Sequence, residues 1–171
     1  PRQHACVVKG KAGSPYAITD YYDVDPDLAE NVPERMAEFE ALVQRTHKAG
    51  MKVIIDFVPN HVAREYHSVN LPEGVSDLGA NDDTTKHFDP QNNFYYCPGD
   101  AFVSPVQPAD GEEPYVENPA KCTGNDKFNA KPGQYDWYET VKLNYGVDYC
   151  DAGGRSHHFT PVPDTWKKMT D

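Results

Sequence analysis

The sequence predicts an α/β fold: half of a βαβ unit, with a long irregular insertion following its strand. Three features point to it. Met36, Phe39, Leu42, Val43 and Thr46 recur at helical spacing, and the run ends at Gly50. Val53, Ile54 and Ile55 then form an apolar, β-branched run, the composition of a strand covered on both faces of a parallel sheet. From Ala63 to about Val162, Asn, Asp, Gly, Pro and Tyr crowd the chain, and no helical or strand period persists.

Residues 1–30 read as loop around the segment SPYAITDYYDVDPDL, whose density of Asp, Pro and Tyr signals turns. Asn31 suits the cap of the helix that follows and Pro33 its first turn. Glu34, three residues after Asn31, stands at the reciprocal position of a capping box. Gly50 is placed for a left-handed C-terminal cap. The strand runs on through Asp56, Phe57 and Val58 to Pro59, Asn60 and His61, which stop it and leave an amide and an imidazole at its carboxyl end. In parallel α/β architectures that end faces the ligand, so Asp56, Asn60 and His61 are either ligand-facing groups or caps of the strand and its loop. A hundred residues of loop texture is too long for an ordinary connection. Eleven Tyr, seven Phe and two Trp in the chain favour an inserted subdomain over disorder. Within it, short strands are expected at 93–96 and 139–145. Asp164 reads as the N-cap of a further helix starting at Thr165.

The chain of 171 residues has the length of one domain, yet only 38% of it is hydrophobic and the mean hydropathy is −0.76, so it closes little core by itself. A formal net charge of −11 argues against nucleic acid or an anionic membrane as partner. No apolar stretch is long enough to cross a bilayer as a helix. The opening PRQHACVVKGKAG has neither an initiator Met nor a signal-peptide pattern, and the last helix is unfinished. The expectation is a piece truncated at both ends, its compartment left open, with a secreted or periplasmic location preferred. Cys6, Cys97, Cys122 and Cys150 contain no CxxC, against a structural zinc site. Free buried thiols fit the spacing, and so does a bridge from Cys122 to Cys97 or to Cys150.

Three segments carry a family resemblance. DFVPNH, residues 56–61, resembles the DxVxNH signature at the end of the third barrel strand of the α-amylase family of glycoside hydrolases (family 13). YAITDYY, residues 16–22, resembles that family's Y-x-x-x-D-Y segment in the loop after the second strand. TVKLNY, residues 140–145, is similar to the stretch that closes the family's domain B, often QPDLN. All three occur in the family's order. The resemblance implies part of a (β/α)8 TIM barrel: residues 1–62 as the loop after strand two, helix two and strand three, residues 63–162 as a domain-B-like insertion, and residues 163–171 as the start of helix three.

It further implies an α-glucan or maltooligosaccharide substrate and, as intramolecular partner, the rest of the barrel in a parent chain. By the same resemblance His61 hydrogen-bonds hydroxyls of the sugar on the non-reducing side of the cleaved bond, and Tyr16 stacks on that sugar. Asp56 supports the active-site network without being nucleophile or acid, while Asp20 and Asn144 are structural. Asn60 matches a position that offers its side-chain oxygen to calcium in many members. Lys142, however, stands where QPDLN has an Asp that helps hold that ion, and an ammonium repels a cation, which argues against calcium; no other cofactor is implied. The family's two catalytic carboxylates lie on strands beyond those matched here, so this chain is expected to carry no catalytic residue and to be inactive alone. A catalytically inactive, amylase-like protein that binds carbohydrate or another protein is the alternative.

Other clusters carry less. Adjacent His157 and His158, with Asp151 and Asp164, point in different directions and read as a solvated loop instead of a metal site. His47 suits the helix C-terminus. Asp82-Asp83 and Glu112-Glu113 read as solvated loop charges. Phe94-Tyr95-Tyr96 and Trp137-Tyr138 are either sugar platforms or the insertion's own core.

Overall fold

The helix forms where its spacing places it, but its N-terminal cap is a different one. In the computed structural model, which describes residues 3–10 and 13–170, α1 spans Arg35–Lys48 and is entered through a 3₁₀ turn at Val32–Glu34. The Asn31 side chain makes no capping bond. Glu38 reaches back instead, its two oxygens accepting the N–H groups of Glu30 (2.9 Å) and Asn31 (2.7 Å). The 3₁₀ turn postpones the first α-helical turn, so the carboxylate in reach is Glu38 and not Glu34. Gly50 follows with φ +75°, the left-handed conformation that a Cβ disfavours. The outer ends of segments 1–62 and 163–171 (Pro1, Arg2 and Asp171), and Lys11 and Ala12, lie outside the described residues.

The expectation of a buried parallel strand after α1 is corrected. Residues 51–59 pair with no strand among the described residues, and Ile54 is 94% and Ile55 66% exposed. A parallel strand is held by a ladder on each edge and a layer on each face. Here neither is supplied, and α1 buries none of its residues. Pairing begins only at the polar end of the motif, with β1 (His61–Ala63).

The insertion folds around short antiparallel ladders. β1 pairs with β4 (Thr140–Lys142), β2 (Tyr96–Cys97) with β3 (Ala120–Lys121), and β5 (Val147–Asp151) with β6 (Gly154–His157), while α2 spans Asp164–Thr170. An isolated bridge joins Phe94 to Leu143. Strand pairing thus appears inside both stretches where it is expected, 93–96 and 139–145, though in shorter runs. Tyr95, Phe102, Cys122, Ala130 and Tyr138 build one hydrophobic cluster, and Val62, Phe94, Tyr96, Val141 and Leu143 another. Phe94, Tyr95 and Tyr96 are therefore core residues, not sugar platforms. Asp82, read from the sequence as a solvated charge, is half-buried and accepts from the N–H groups of Asn93 (2.7 Å) and Phe94 (3.0 Å) and from the Tyr96 hydroxyl (3.0 Å). Burial pushes its carboxyl above the ordinary range. The asparagine and aspartate residues of this stretch fasten loop backbone from within.

All four cysteines are free thiols. The β2–β3 register brings Cys97 and Cys122 together with sulfurs 3.7 Å apart inside the core, while Cys150 is exposed on β5. Buried thiols are inert towards reagents that need access to solvent. In the native chain a thiol-specific reagent such as Ellman's should therefore titrate Cys150 alone, and all four cysteines after denaturation. Two thiols titrated after denaturation would instead mean a bridge.

Candidate functional site

The β1–β4 ladder sets the site. Its register places His61 opposite Lys142, Val62 opposite Val141 and Ala63 opposite Thr140. Val62 and Val141 are fully buried in the second cluster, and side-chain alternation along a strand turns His61 to the other face. Tyr21 and Tyr145 hold the approach to β1, their hydroxyls donating to the carbonyls of Val58 (2.6 Å) and Pro59 (2.5 Å). On the outer edge, Ala63 N–H donates to Ile18 O (2.8 Å) and His67 N–H to Thr19 O (3.0 Å). Those two bonds lay the loop containing Tyr16 against β1. The result is a pocket of about 370 Å³ lined by Tyr16, Ser14, Val58, His61, Thr140, Trp137, Lys9 and Glu139.

Tyr16 and His61, the two residues singled out as sugar contacts, thus line one cavity. Tyr16 is 57% exposed, with its ring free to meet a ligand. Trp137 joins them: it is 43% exposed, and its ring centroid lies 5.2 Å from that of His61. Of the Trp137-Tyr138 pair, then, the tryptophan faces the pocket and the tyrosine belongs to the core. The remaining candidates lie around this cavity. Asp56 is exposed, makes no hydrogen bond among the described residues and does not line the pocket. Asp20 accepts from Tyr22 N–H (2.8 Å) and Val69 N–H (2.8 Å), tying its loop to the start of the insertion. Buried Asn144 donates to the carbonyls of Asp89 (2.8 Å) and Asn92 (3.0 Å) and accepts from Gly146 N–H (2.9 Å).

Asn60 orients the imidazole. Its side-chain nitrogen donates to Gly124 O (3.1 Å) and to His61 Nδ1 (3.0 Å), while its oxygen faces the Lys142 ammonium at 3.4 Å. These partners fix the amide orientation. With Nδ1 accepting, the ring proton sits on Nε2, where it can be donated to a ligand oxygen. Burial lowers the His61 pKa below the ordinary histidine value and keeps the ring neutral near pH 7. Below about pH 6.5 the unfolded chain takes up this proton more readily than the folded one, so His61 costs stability as pH falls through its lowered folded pKa. Melting temperature should accordingly drop more steeply between pH 7 and pH 5 in the native sequence than in His61→Gln. Parallel slopes would contradict this.

Lys142 also meets Asp126 Oδ1 at 2.7 Å. The oxygens that surround it, from Asn60 and Asp126, already hold one ammonium. Calcium takes six or more oxygen ligands and is repelled by an adjacent cation, so this donor set does not fit it. Among the described residues no group of three or more His, Cys, Asp or Glu side chains is arranged to hold a metal, the His157-His158 pair included.

Lys9 and Glu139 carry no signal in their own segments of the sequence. They reach the site through contacts that span more than a hundred residues of chain, such as the Lys9 bond to Asp136 O (3.0 Å).

A family model described as "Alpha amylase, catalytic domain" matches residues 8–132. Among curated proteins the chain is similar to the alpha-glucosidase of Apis mellifera, 30% identical over 80 residues, which are 47% of this chain and 11% of that protein. It is likewise similar to maltase 1 of Drosophila virilis and to the amino acid transporter heavy chain SLC3A1 of Rattus norvegicus, each 39% identical over 51 residues, 30% of this chain and 7% of theirs. The chain therefore spans 7% to 11% of the length of these relatives. No solved structure matches it.

Proposed function

The chain belongs to the α-amylase family of glycoside hydrolases, as the match over residues 8–132 establishes, and from that premise we propose that it is the substrate-binding part of a retaining α-glycosidase acting on α-glucans such as starch or maltooligosaccharides. The observation that carries this reading is the pocket in which Tyr16, His61 and Trp137 meet. Aromatic faces offer apolar area to the CH groups of a pyranose, and a neutral histidine with its proton on Nε2 donates to a hydroxyl oxygen. Names such as maltase and alpha-glucosidase among the similar proteins agree with an α-glucosidic substrate.

The catalytic pair belongs to the rest of the parent protein. Retention needs two carboxylates about 5 Å apart, whereas among the described residues a single one, Glu139, lines this pocket. In the parent, Ile54, Ile55 and the exposed side of α1 pack against neighbouring barrel strands and helices, and residues 53–58 become the third strand. Asp56 then gains its supporting role from partners on those strands. Lys142, bridging Asn60 and Asp126, takes the place of calcium between barrel and insertion.

The similarity to a transporter heavy chain favours a second reading: an amylase-like protein without catalysis that serves a protein partner. One experiment separates the two. Maltooligosaccharides incubated with this chain release no reducing sugar, and incubated with the parent protein they are cleaved with retention at the anomeric carbon. Intact sugar with the parent establishes the second reading, and cleavage by this chain alone overturns the placement of the carboxylates.

A further inference from the structure

Glu139 is a buried carboxylate, 6% exposed, at the wall of the pocket, and its Oε2, closed off from solvent, accepts no aligned hydrogen bond among the described residues. An unsatisfied acceptor of this kind is costly, and native proteins keep few of them. Among the described residues Lys9 is the cation beside it. Lys9 Nζ lies 3.2 Å from Oε2 but outside hydrogen-bonding alignment, because its ammonium is drawn to the Asp136 carbonyl at 3.0 Å and sits 5.2 Å from the centre of the Tyr138 ring. Lys9 balances the charge of Glu139 at Oε2, and a carboxylate paired on one oxygen can still accept a hydroxyl proton on its other oxygen. Backbone geometry fixes the carboxylate at this spot, since Glu139 O accepts from Arg64 N–H (2.8 Å) as β1 enters the insertion.

We propose that Glu139, balanced by Lys9, is a further sugar-contact residue: its carboxylate accepts a hydroxyl of a saccharide whose ring lies against Trp137. The inference rests on the carbohydrate-binding reading of the pocket. It adds a charged acceptor to a pocket whose other side-chain acceptors are the neutral hydroxyls of Ser14, Tyr16 and Thr140. A sugar hydroxyl accepts one hydrogen bond and donates another, and while His61 Nε2 donates, a carboxylate takes up the hydroxyl proton. Hydrogen bonds to a charged acceptor are about twice as strong as neutral ones, which makes Glu139 the group best able to discriminate between a hydroxyl and its deoxy counterpart. Lys9 acts through Glu139 and is a positioning residue.

The test is calorimetric titration of this chain with maltotriose, alongside Glu139→Gln, Lys9→Met and His61→Ala. Glu139→Gln, nearly isosteric, should weaken maltotriose about tenfold, as expected for losing a charge-assisted bond, with the melting temperature retained. Lys9→Met, at a half-exposed side chain that leaves the core alone, should weaken it severalfold. Full affinity in Glu139→Gln, or in Lys9→Met if the first variant does not fold, together with weakened binding in His61→Ala, overturns the role of Glu139 and leaves the sugar pocket standing. Absence of maltotriose binding to the native sequence overturns both.

Discussion

Arg64→Ala should destabilise the fold by about 3–5 kcal/mol, the cost of breaking a buried charge network from one side. Arg64 is fully buried. Its guanidinium donates to the carbonyls of Tyr138 (2.7 Å), Lys121 (3.0 Å) and Thr140 (3.1 Å) and to Glu117 Oε1 (2.6 Å). It also lies 3.9 Å from the centre of the Phe102 ring. One side chain thereby satisfies backbone from β3, β4 and the turn before β4, where so little regular ladder exists that side chains must do the joining. Truncation leaves three carbonyls and a carboxylate without this donor in a dry interior. Lysine restores the charge but not the fork, so Arg64→Lys should recover only part of the loss. Urea unfolding of the three proteins gives the comparison. A change below about 1 kcal/mol for Arg64→Ala, the value of a surface pair, would contradict the role.

Gly124→Ala should cost about 1–3 kcal/mol by overpacking and lower maltotriose affinity by at least about tenfold. A Cβ at Gly124 would stand 2.5 Å from Thr140 Oγ1 and 2.8 Å from His61 Cβ. The glycine is needed for close approach: its N–H donates to Thr140 Oγ1 (3.2 Å) and its carbonyl accepts from Asn60 Nδ2 (3.1 Å). A methyl group here pushes on the imidazole and on the amide that fixes its tautomer, so two contacts of the pocket fail together. Calorimetry with maltotriose, together with ¹⁵N spectra of the histidine ring, reports both effects. Unchanged affinity with an intact fold would show that His61 tolerates displacement and does not position the sugar.

Much of the site was legible because its signals are local. DFVPNH carries His61 and Asn60 side by side, and their coupling through one hydrogen bond needs no distant residue. The helical spacing from Met36 to Thr46 and the turn at Gly50 are likewise written within one segment. What escaped the sequence depends on distant partners. Arg64 is an unremarkable charged residue until carbonyls 57 or more positions away close around it, and Asp82 looks solvated until three donors from residues 93–96 reach it. Lys9, Trp137 and Glu139 meet only after the insertion has folded back over β1. Residues 53–58 present the converse case. Their composition is written for a sheet, and without neighbouring strands among the described residues it leaves Ile54 and Ile55 in water.

The proposed sugar-binding pocket is bounded by Tyr16, His61 and Trp137. Titration of the ¹⁵N-labelled chain with maltotriose, followed by amide and indole resonances, tests it most directly. Saturable shifts are expected at the Trp137 indole N–H and at the backbone of Tyr16, His61 and Glu139, with the β5–β6 hairpin unmoved. Spectra that stay unchanged, or shifts confined to residues away from this pocket, would contradict it.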